Sequence, residues 1–512
     1  MSGYPRPRRV SAVALPALAG VAGASAEDAV TQVAVTVTGV THASSLVRPG
    51  DLYAALPGAH RHGAEFAGAA VAAGAVAVLT DPAGAALITQ IAVPVLAVAD
   101  PRAVLGEVAS IVYGQPTANL PVIGLTGTAG KTTTSYLVES GLRAAGHTTG
   151  LIGTVETRVG DEVVDSERTT PEATDLHALF AAALERGVTA AVMEVSSHAL
   201  AYGRVGGVRF AVGGYTNFGL DHLDFHASVD EYFAAKARLF DGRCAVEILN
   251  ADDPALWVLR KAATVTYSAA GDPTATWYAT DIAPDSYGQR FTAHGPGGLA
   301  LAAGVALPGR HNVANALLAL ASLTAIGVDP SVAAAGVAAC PGVPGRLERV
   351  AAPGPVLGVV DYGHKPDAIV EALAALRRVI GDRGRIIAVL GAGGDRDRAK
   401  RPLMGAAAAR GADLVIVTDD NPRTEDPAAI RSAVRGGAED AAAADADVVE
   451  VAGRREAIAE AVRRADSGDA VVLLGKGHER GQEIAGVLHP FDDRVELAAA
   501  LERRFAPTEA RT

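Results

Sequence analysis

The chain has 512 residues, too many for a single hydrophobic core; ordinary domain sizes divide such a length into roughly two to four units. With 49% hydrophobic and 20% charged residues, its composition is that of a globular protein and excludes wholesale disorder. A formal net charge of −12, with no block of lysines or arginines, excludes a basic field for nucleic acid and leaves small molecules as the expected partners.

At the N-terminus, RPRR at 6–9 followed by SAVALPALAGVAGASA imitates a signal peptide. Pro16 interrupts the apolar run and Ala and Gly dominate it, so a short amphipathic helix opening a soluble domain is the better reading. No other stretch approaches the ~18 unbroken apolar residues of a membrane helix, so a cytoplasmic protein with no membrane partner is expected. VAVTVTGV (33–40), DLYAALPG (51–58) and AVAVLTDPAG (75–84) are short apolar strands separated by turns, the pattern of a small α/β domain. Gly, Pro, Thr and Asn cluster in IVYGQPTANLP at 111–121, and Pro and Gly again in CPGVPGR at 340–346. These clusters divide the chain into domains 1–114, 115–344 and 345–512.

The middle segment carries the strands PVIGL (121–125) and AAVMEV (190–195). The last carries PVLGVVDYG, RIIAVLGAG, DLVIVTDDN and AVVLLGKG, each a buried strand pattern running into a polar or glycine-containing loop, with helical segments between. The fold class is therefore α/β, with a mostly parallel, doubly wound C-terminal sheet whose ligands bind beyond the carboxyl ends of the strands. The Ala-rich EDAAAADADVVEVAG (439–453) is read as helix and strand. Cys244 and Cys340 are too few for a disulfide framework and lack metal-ligand spacing.

The strongest chemical signal is GLTGTAGKTTT at 124–134, between a strand and a helix whose apolar positions include Tyr136, Leu137, Leu142 and Ala145. This is a phosphate loop. Gly127, Thr128, Ala129, Gly130, Lys131, Thr132 and Thr133 would wrap a nucleotide's phosphates, with Lys131 as point charge and Thr132 as a magnesium ligand. Glu194 closes the strand AAVMEV, a suitable place for a second magnesium ligand. TNFGLDHLDFH (216–226) gathers Asn217, Asp221, His222, Asp224 and His226, a density of ligand types that suggests metal or nucleotide contact.

TGTAGKTTT, EVSSHAL, TNFGLDHLDFH, PGRHNVANALLA, PGRLERV and DYGHKPDAI together resemble the Mur ligase family, in order and spacing, over nearly the whole chain. The resemblance implies three domains: a small uridine-binding α/β domain, a central P-loop ATPase domain with a mostly parallel sheet, and a C-terminal Rossmann-like domain. It also implies an ATP-dependent amide ligase that passes through an acyl phosphate. DRDRAKRP (395–402), TDDNPRTEDP (418–427) and GKGHERGQE (475–483) look like the signatures of the family's third amino-acid-adding enzymes. These couple a diamino acid to UDP-N-acetylmuramoyl-L-Ala-D-Glu in peptidoglycan precursor synthesis, which serves cell shape and division.

By that resemblance Arg396, Asp420, Asn421, Pro422, Arg423, Gly475 and Glu479 would hold 2,6-diaminopimelate, a planar arginine fork at 423 clamping its distal carboxylate. Ser44 would lie in the uridine domain, and Thr169, Thr170, Ser196 and Arg204 would meet the muramoyl peptide. Asn312 would lie near the nucleotide base, with Arg346 and Asp361 bringing the third domain onto ATP. Thr132, Glu194 and His222 would surround Mg2+, and Lys236, carbamylated in the family, would ligate a second ion. Lys131, Glu194, His222 and Lys236 are thus the candidate catalytic groups, in an expected monomer. The chain departs from the family pattern at Ala129, Tyr202 and Lys365. Rival readings are a lysine-adding synthetase, which would be expected to lack an arginine at 423, a folylpolyglutamate synthetase, and a regulatory ATPase without ligase activity.

Overall fold

A computed structural model of the chain describes residues 3–23, 34–166, 168–441 and 447–505. Two compact units emerge from it. The first comprises residues 1–278, 295–298 and 314–337, and the second residues 279–294, 299–313 and 338–512.

In the first unit, four strands, Gly39–Thr41, Asp51–Ala54, Ala77–Thr80 and Val95–Ala97, pair in chain order and all parallel. The helix Pro101–Val112, capped by Asp100, buries Leu105, Val108 and Ala109 in their core. Near the N-terminus the helix is Leu15–Val21, preceded by a two-residue strand at Val13–Ala14. Pro16 is tolerated because it occupies the first turn, where its missing N–H would have had no partner. Leu15 and Leu18 are fully buried in the same core, each contributing about 1.5–3 kcal/mol. The segment 75–84, read as a strand running into a turn, closes with the short helix Pro82–Leu87, because Asp81 Oδ1 accepts from Gly84 N at 2.6 Å as an N-cap.

The larger sheet of this unit is built around Val122–Thr126, every residue of which is buried, as a central parallel strand requires. Ala190–Glu194 and Phe210–Tyr215 flank it in parallel. Thr149–Ile152 lies beyond the first and Cys244–Asn250 and Val265–Ser268 beyond the second. Two short antiparallel strands, Thr157–Val159 and Glu162–Val164, finish one edge. The chain leaves the central strand toward one side and returns to the other, so the switch point of the sheet falls at its carboxyl end.

The second unit contains a sheet in the order Glu348–Arg349, Leu357–Asp361, Ala470–Leu474, Ile386–Leu390, Leu414–Val417, Asp447–Glu450. Only the first of these strands is antiparallel. All four strands read from the apolar runs are present. Pro366–Ile380, Lys400–Gly411 and Pro427–Ala441 cover one face, and Arg454–Arg464 and Asp493–Phe505 the other, each layer with its own apolar core. The Ala-rich 439–453 segment supplies the end of a helix and the edge strand, with 442–446 outside the described residues. A hairpin, Gly481–Ile484 with Val487–Pro490, stands apart from the sheet.

Candidate active site

The central strand of the first unit ends at Thr126, and the chain then turns through Gly127 and Gly130, at φ 140° and 84°, into the helix Lys131–Ala144. A side chain at 127 would meet Thr216 Oγ1 at 1.8 Å, so glycine is needed there for space as well as conformation. The loop is braced from the neighbouring strand end. Asn217 O accepts from Thr128 N at 2.8 Å and Asn217 Oδ1 from Ala129 N at 3.0 Å, while Thr216 Oγ1 donates to Ala129 O at 2.5 Å. Lys131 Nζ donates to Gly127 O at 2.7 Å, folded over the loop whose phosphate it would meet.

Lys236, on the helix Val229–Ala237, is only 1% exposed, and its Nζ donates to the same Gly127 carbonyl at 2.8 Å. A lysine that looks like a surface residue in sequence is thus built into the wall of the loop. Tyr232 of the same helix lies beneath it, 4.8 Å from Nζ to the ring centroid, with its hydroxyl 3.1 Å from Thr128 Oγ1. His222 packs near this tyrosine, centroids 6.1 Å apart, and its Nε2 is 3.1 Å from Asp221. His222 has φ 53°, a backbone state rare outside glycine. His198 stacks on Phe225 at 4.1 Å and meets His222 edge-on at 4.8 Å; burial holds the His198 ring below its ordinary pKa, so it is neutral near pH 7.

Glu194 is buried beside the loop, because its strand pairs with Val122–Thr126 in a register that sets Glu194 opposite Leu125. Thr154 donates to both its oxygens, N to Oε1 at 2.8 Å and Oγ1 to Oε2 at 3.0 Å. Thr154 carries no sequence signal; only the fold brings it here. Its hydroxyl also lies 3.0 Å from Thr169 Oγ1, and Thr170 Oγ1 donates to Glu194 O at 2.9 Å and accepts from Ser196 N at 3.2 Å. Arg204 Nη1 donates to Thr170 O at 3.3 Å, and its Nε stands 2.9 Å from Glu172, to which Arg102 also pairs at 3.2 Å. Thr169, Thr170, Ser196 and Arg204 therefore form one patch with Glu194. Arg102 and Glu172, absent from the sequence reading, belong to it, and both arginines lie over the Tyr202 ring, at 5.3 and 5.5 Å. Ser44 is in the four-stranded part of the unit, hydrogen-bonded to Tyr53.

Hard oxygen donors at Thr132 and Glu194 suit Mg2+, which keeps several waters and takes phosphate oxygens rather than a full protein cage. No group of three or more His, Cys, Asp or Glu able to hold a metal occurs among the described residues.

In the second unit, Asp361 ends its strand and accepts from Leu347 N at 2.8 Å and Gly363 N at 2.7 Å. Burial raises its pKa, opposed chiefly by Arg346, whose guanidinium lies 4.3 Å over the Tyr362 ring. Asn312 is buried, with Nδ2 donating to Pro308 O at 2.8 Å.

The loops after Leu414–Val417 and Ala470–Leu474 converge. Asp420 Oδ1 accepts from its neighbour Asn421 N at 2.7 Å, and a side chain at Gly475, φ 111°, would meet Asp420 Oδ2 at 2.7 Å. Asn421 Nδ2 donates to Glu479 Oε2 at 2.9 Å. Arg423, after Pro422, is held at φ 52° by bonds from its N to Glu483 O at 3.0 Å and from Ala485 N to its O at 2.7 Å. Its Nη1 donates to Gly394 O at 2.7 Å and its Nε is 3.2 Å from Glu483. Arg396 stays exposed on the adjoining loop, with no hydrogen bond or ion pair among the described residues.

Three family descriptions match the chain: "Mur ligase family, catalytic domain" at 36–113, "Mur ligase middle domain" at 125–323 and "Mur ligase, glutamate ligase domain" at 345–477. The UDP-N-acetylmuramoyl-L-alanyl-D-glutamate–2,6-diaminopimelate ligase of Streptomyces coelicolor is 53% identical over 506 residues, covering 98% of this chain and 99% of its own. The enzyme of the same name from Corynebacterium glutamicum is 48% identical, covering 90% and 91%. A solved structure of a ligase of that name superposes with a TM-score of 0.69 at 32% identity, covering 96% of this chain and 99% of the other.

Proposed function

The chain belongs to the Mur ligase family, with its three-domain α/β fold, and from that premise we propose that it joins 2,6-diaminopimelate to the D-Glu carboxylate of UDP-N-acetylmuramoyl-L-Ala-D-Glu. The names of the Streptomyces and Corynebacterium relatives support this reading. The domain division 1–114, 115–344 and 345–512 is supported by the three matched segments.

In this reading the substrate carboxylate attacks the γ-phosphorus of ATP, releasing ADP and forming an acyl phosphate; the diamino acid's amine then displaces phosphate to leave an amide. The chain supplies position and charge rather than a nucleophile. With the Thr128 and Ala129 amides held by Asn217, the backbone amides that open the helix at Lys131, Thr132 and Thr133 receive the phosphates, Lys131 moving from the Gly127 carbonyl to the γ-phosphoryl oxygens. Mg2+, held by Thr132, Glu194 and His222, would offset phosphate charge when bound. Thr169, Thr170, Ser196 and Arg204 hold the peptide, Ser44 the uridine end, and Asn312, Arg346 and Asp361 serve the nucleotide. A carbamate on Lys236 would make it an oxygen ligand for a second ion at the wall of the loop, where the side chain is buried. A cytoplasmic monomer fits this role.

The observation that carries the choice of diamino acid is Arg423, whose backbone at φ 52° sets its guanidinium against Gly394 O and Glu483, the residue whose N–H donates to Asn421 Oδ1. A carboxylate and an ammonium on one carbon find complementary groups there; lysine lacks the carboxylate. The test is mass detection of product from ATP, magnesium, the muramoyl dipeptide and, separately, meso-diaminopimelate, LL-diaminopimelate and L-lysine. Product with a diaminopimelate isomer and not with lysine is expected. Product with lysine alone would make the chain a lysine-adding synthetase, and no product would turn attention to a folate ligase or a regulatory ATPase.

A further inference from the structure

Lys476 lies between Gly475 and Glu479 and has so far been given no task. Its side chain is fully buried, a state lysine adopts only when paired. Nζ donates to Asn421 Oδ1 at 3.1 Å, Glu479 Oε2 at 3.1 Å and Gly481 O at 2.7 Å, which exhausts the three donors of an ammonium. Asn421 Oδ1 also accepts from Glu483 N at 3.0 Å. Glu479 Oε2 is thus engaged twice, by Lys476 and by Asn421 Nδ2, whereas Oε1 has no hydrogen bond among the described residues.

A buried lysine with a purely structural task could find its partners anywhere in the core. Here each partner lies on one of three segments: the loop after Leu414–Val417, the loop after Ala470–Leu474, and the hairpin strand Gly481–Ile484. That hairpin strand also fixes Arg423, through the backbone and the carboxylate of Glu483. One ammonium therefore ties together the groups that would read both charges at the far end of a diamino acid.

We propose that Lys476 is a positioning residue of the diamino-acid pocket: it neutralises one oxygen of Glu479 so that the other is offered to the substrate's distal ammonium, and it seats the hairpin that aims Arg423 at the distal carboxylate. The proposal rests on assigning Asn421, Arg423 and Glu479 to that pocket. Removing the cation would leave Asn421 Oδ1 and Glu479 Oε2 short of a buried donor and free Glu479 to swing away.

The test is steady-state kinetics of the full chain, with KM measured separately for diaminopimelate, ATP and the muramoyl dipeptide, in wild type, Lys476→Met, Lys476→Arg and Arg423→Ala. Lys476→Met is expected to raise KM for diaminopimelate at least about tenfold, as loss of a charged hydrogen-bond donor implies, with the other two KM values within about twofold; Lys476→Arg recovers part of the loss. Unchanged KM for diaminopimelate, or a parallel rise in all three, overturns the proposal. If the Met variant does not accumulate folded protein, Lys476→Gln and Lys476→Arg carry the same comparison under the same criteria. Should Arg423→Ala leave KM for diaminopimelate unchanged, the pocket assignment falls and this proposal with it; if that variant responds and the Lys476 variants do not, only this proposal falls.

Discussion

At the residue scale, Glu194 is the clearest case of a side chain whose environment defines its task. It is buried, and among the described residues its side-chain oxygens accept only from Thr154, which leaves them lone pairs to spare for a cation. Glu194→Gln preserves shape and one acceptor while removing the charge. Its kcat is expected to fall by about 10²–10³-fold with ATP still bound, as measured by turnover and by nucleotide-binding calorimetry. His177 makes a different prediction. Its Nε2 donates to Gly206 O at 2.8 Å, Nδ1 is buried with no hydrogen-bond partner among the described residues, and burial lowers its pKa to about 4. Between the ordinary histidine value near 6.5 and that lowered value, the unfolded chain binds the proton and the native one does not, so acidification through this window destabilises the first unit. The unfolding free energy from denaturant titration should fall from pH 6.5 toward pH 4, by on the order of 1 kcal/mol per pH unit, and His177→Gln should flatten that slope.

At the element scale, the phosphate loop does not stand alone. Its shape depends on Thr216 and Asn217 at the end of Phe210–Tyr215, the strand next to its own. Asn217→Ala removes two bonds to Ala129, its Oδ1 from the amide and its Nδ2 to the carbonyl at 3.2 Å. At about 0.5–1.5 kcal/mol per bond, affinity for ATP should drop by roughly tenfold while KM for diaminopimelate stays unchanged. Gly127→Ala is harsher. At φ 140° with Thr216 Oγ1 in the way, the substitution adds about 1–3 kcal/mol of strain, and nucleotide binding should be lost in a protein whose circular dichroism is unaltered.

The phosphate loop was legible because its glycines, lysine and threonines are contiguous and sit between an apolar strand and a helix. The four C-terminal strands were legible for a similar reason: runs such as IIAVL and AVVLL are too apolar for anything except buried parallel strands. The hairpin at 481–490 left no comparable trace. Its residues Val487, Leu488, His489 and Pro490 are exposed, and the bonds to Arg423, Asn421 and Lys476 reveal why it is there.

At the scale of the whole molecule, two compact units with separate cores predict calorimetric unfolding that departs from a single two-state transition. ATP with magnesium should raise the transition that contains the phosphate loop, by about 2.7 kcal/mol at a hundredfold excess over Kd, and Gly127→Ala should abolish that shift. The sequence by itself determined the α/β class, the phosphate loop and the order of the motifs, because those rest on contiguous residues and on periods of apolar side chains. Only the tertiary structure decided that Lys236 is buried against the loop, that Thr154 steadies Glu194 and that Lys476 joins Asn421 to Glu479. In each of these pairs the partners are separated along the chain or hidden by burial, and a hydrogen bond has no sequence signature until folding brings its donor and acceptor within reach.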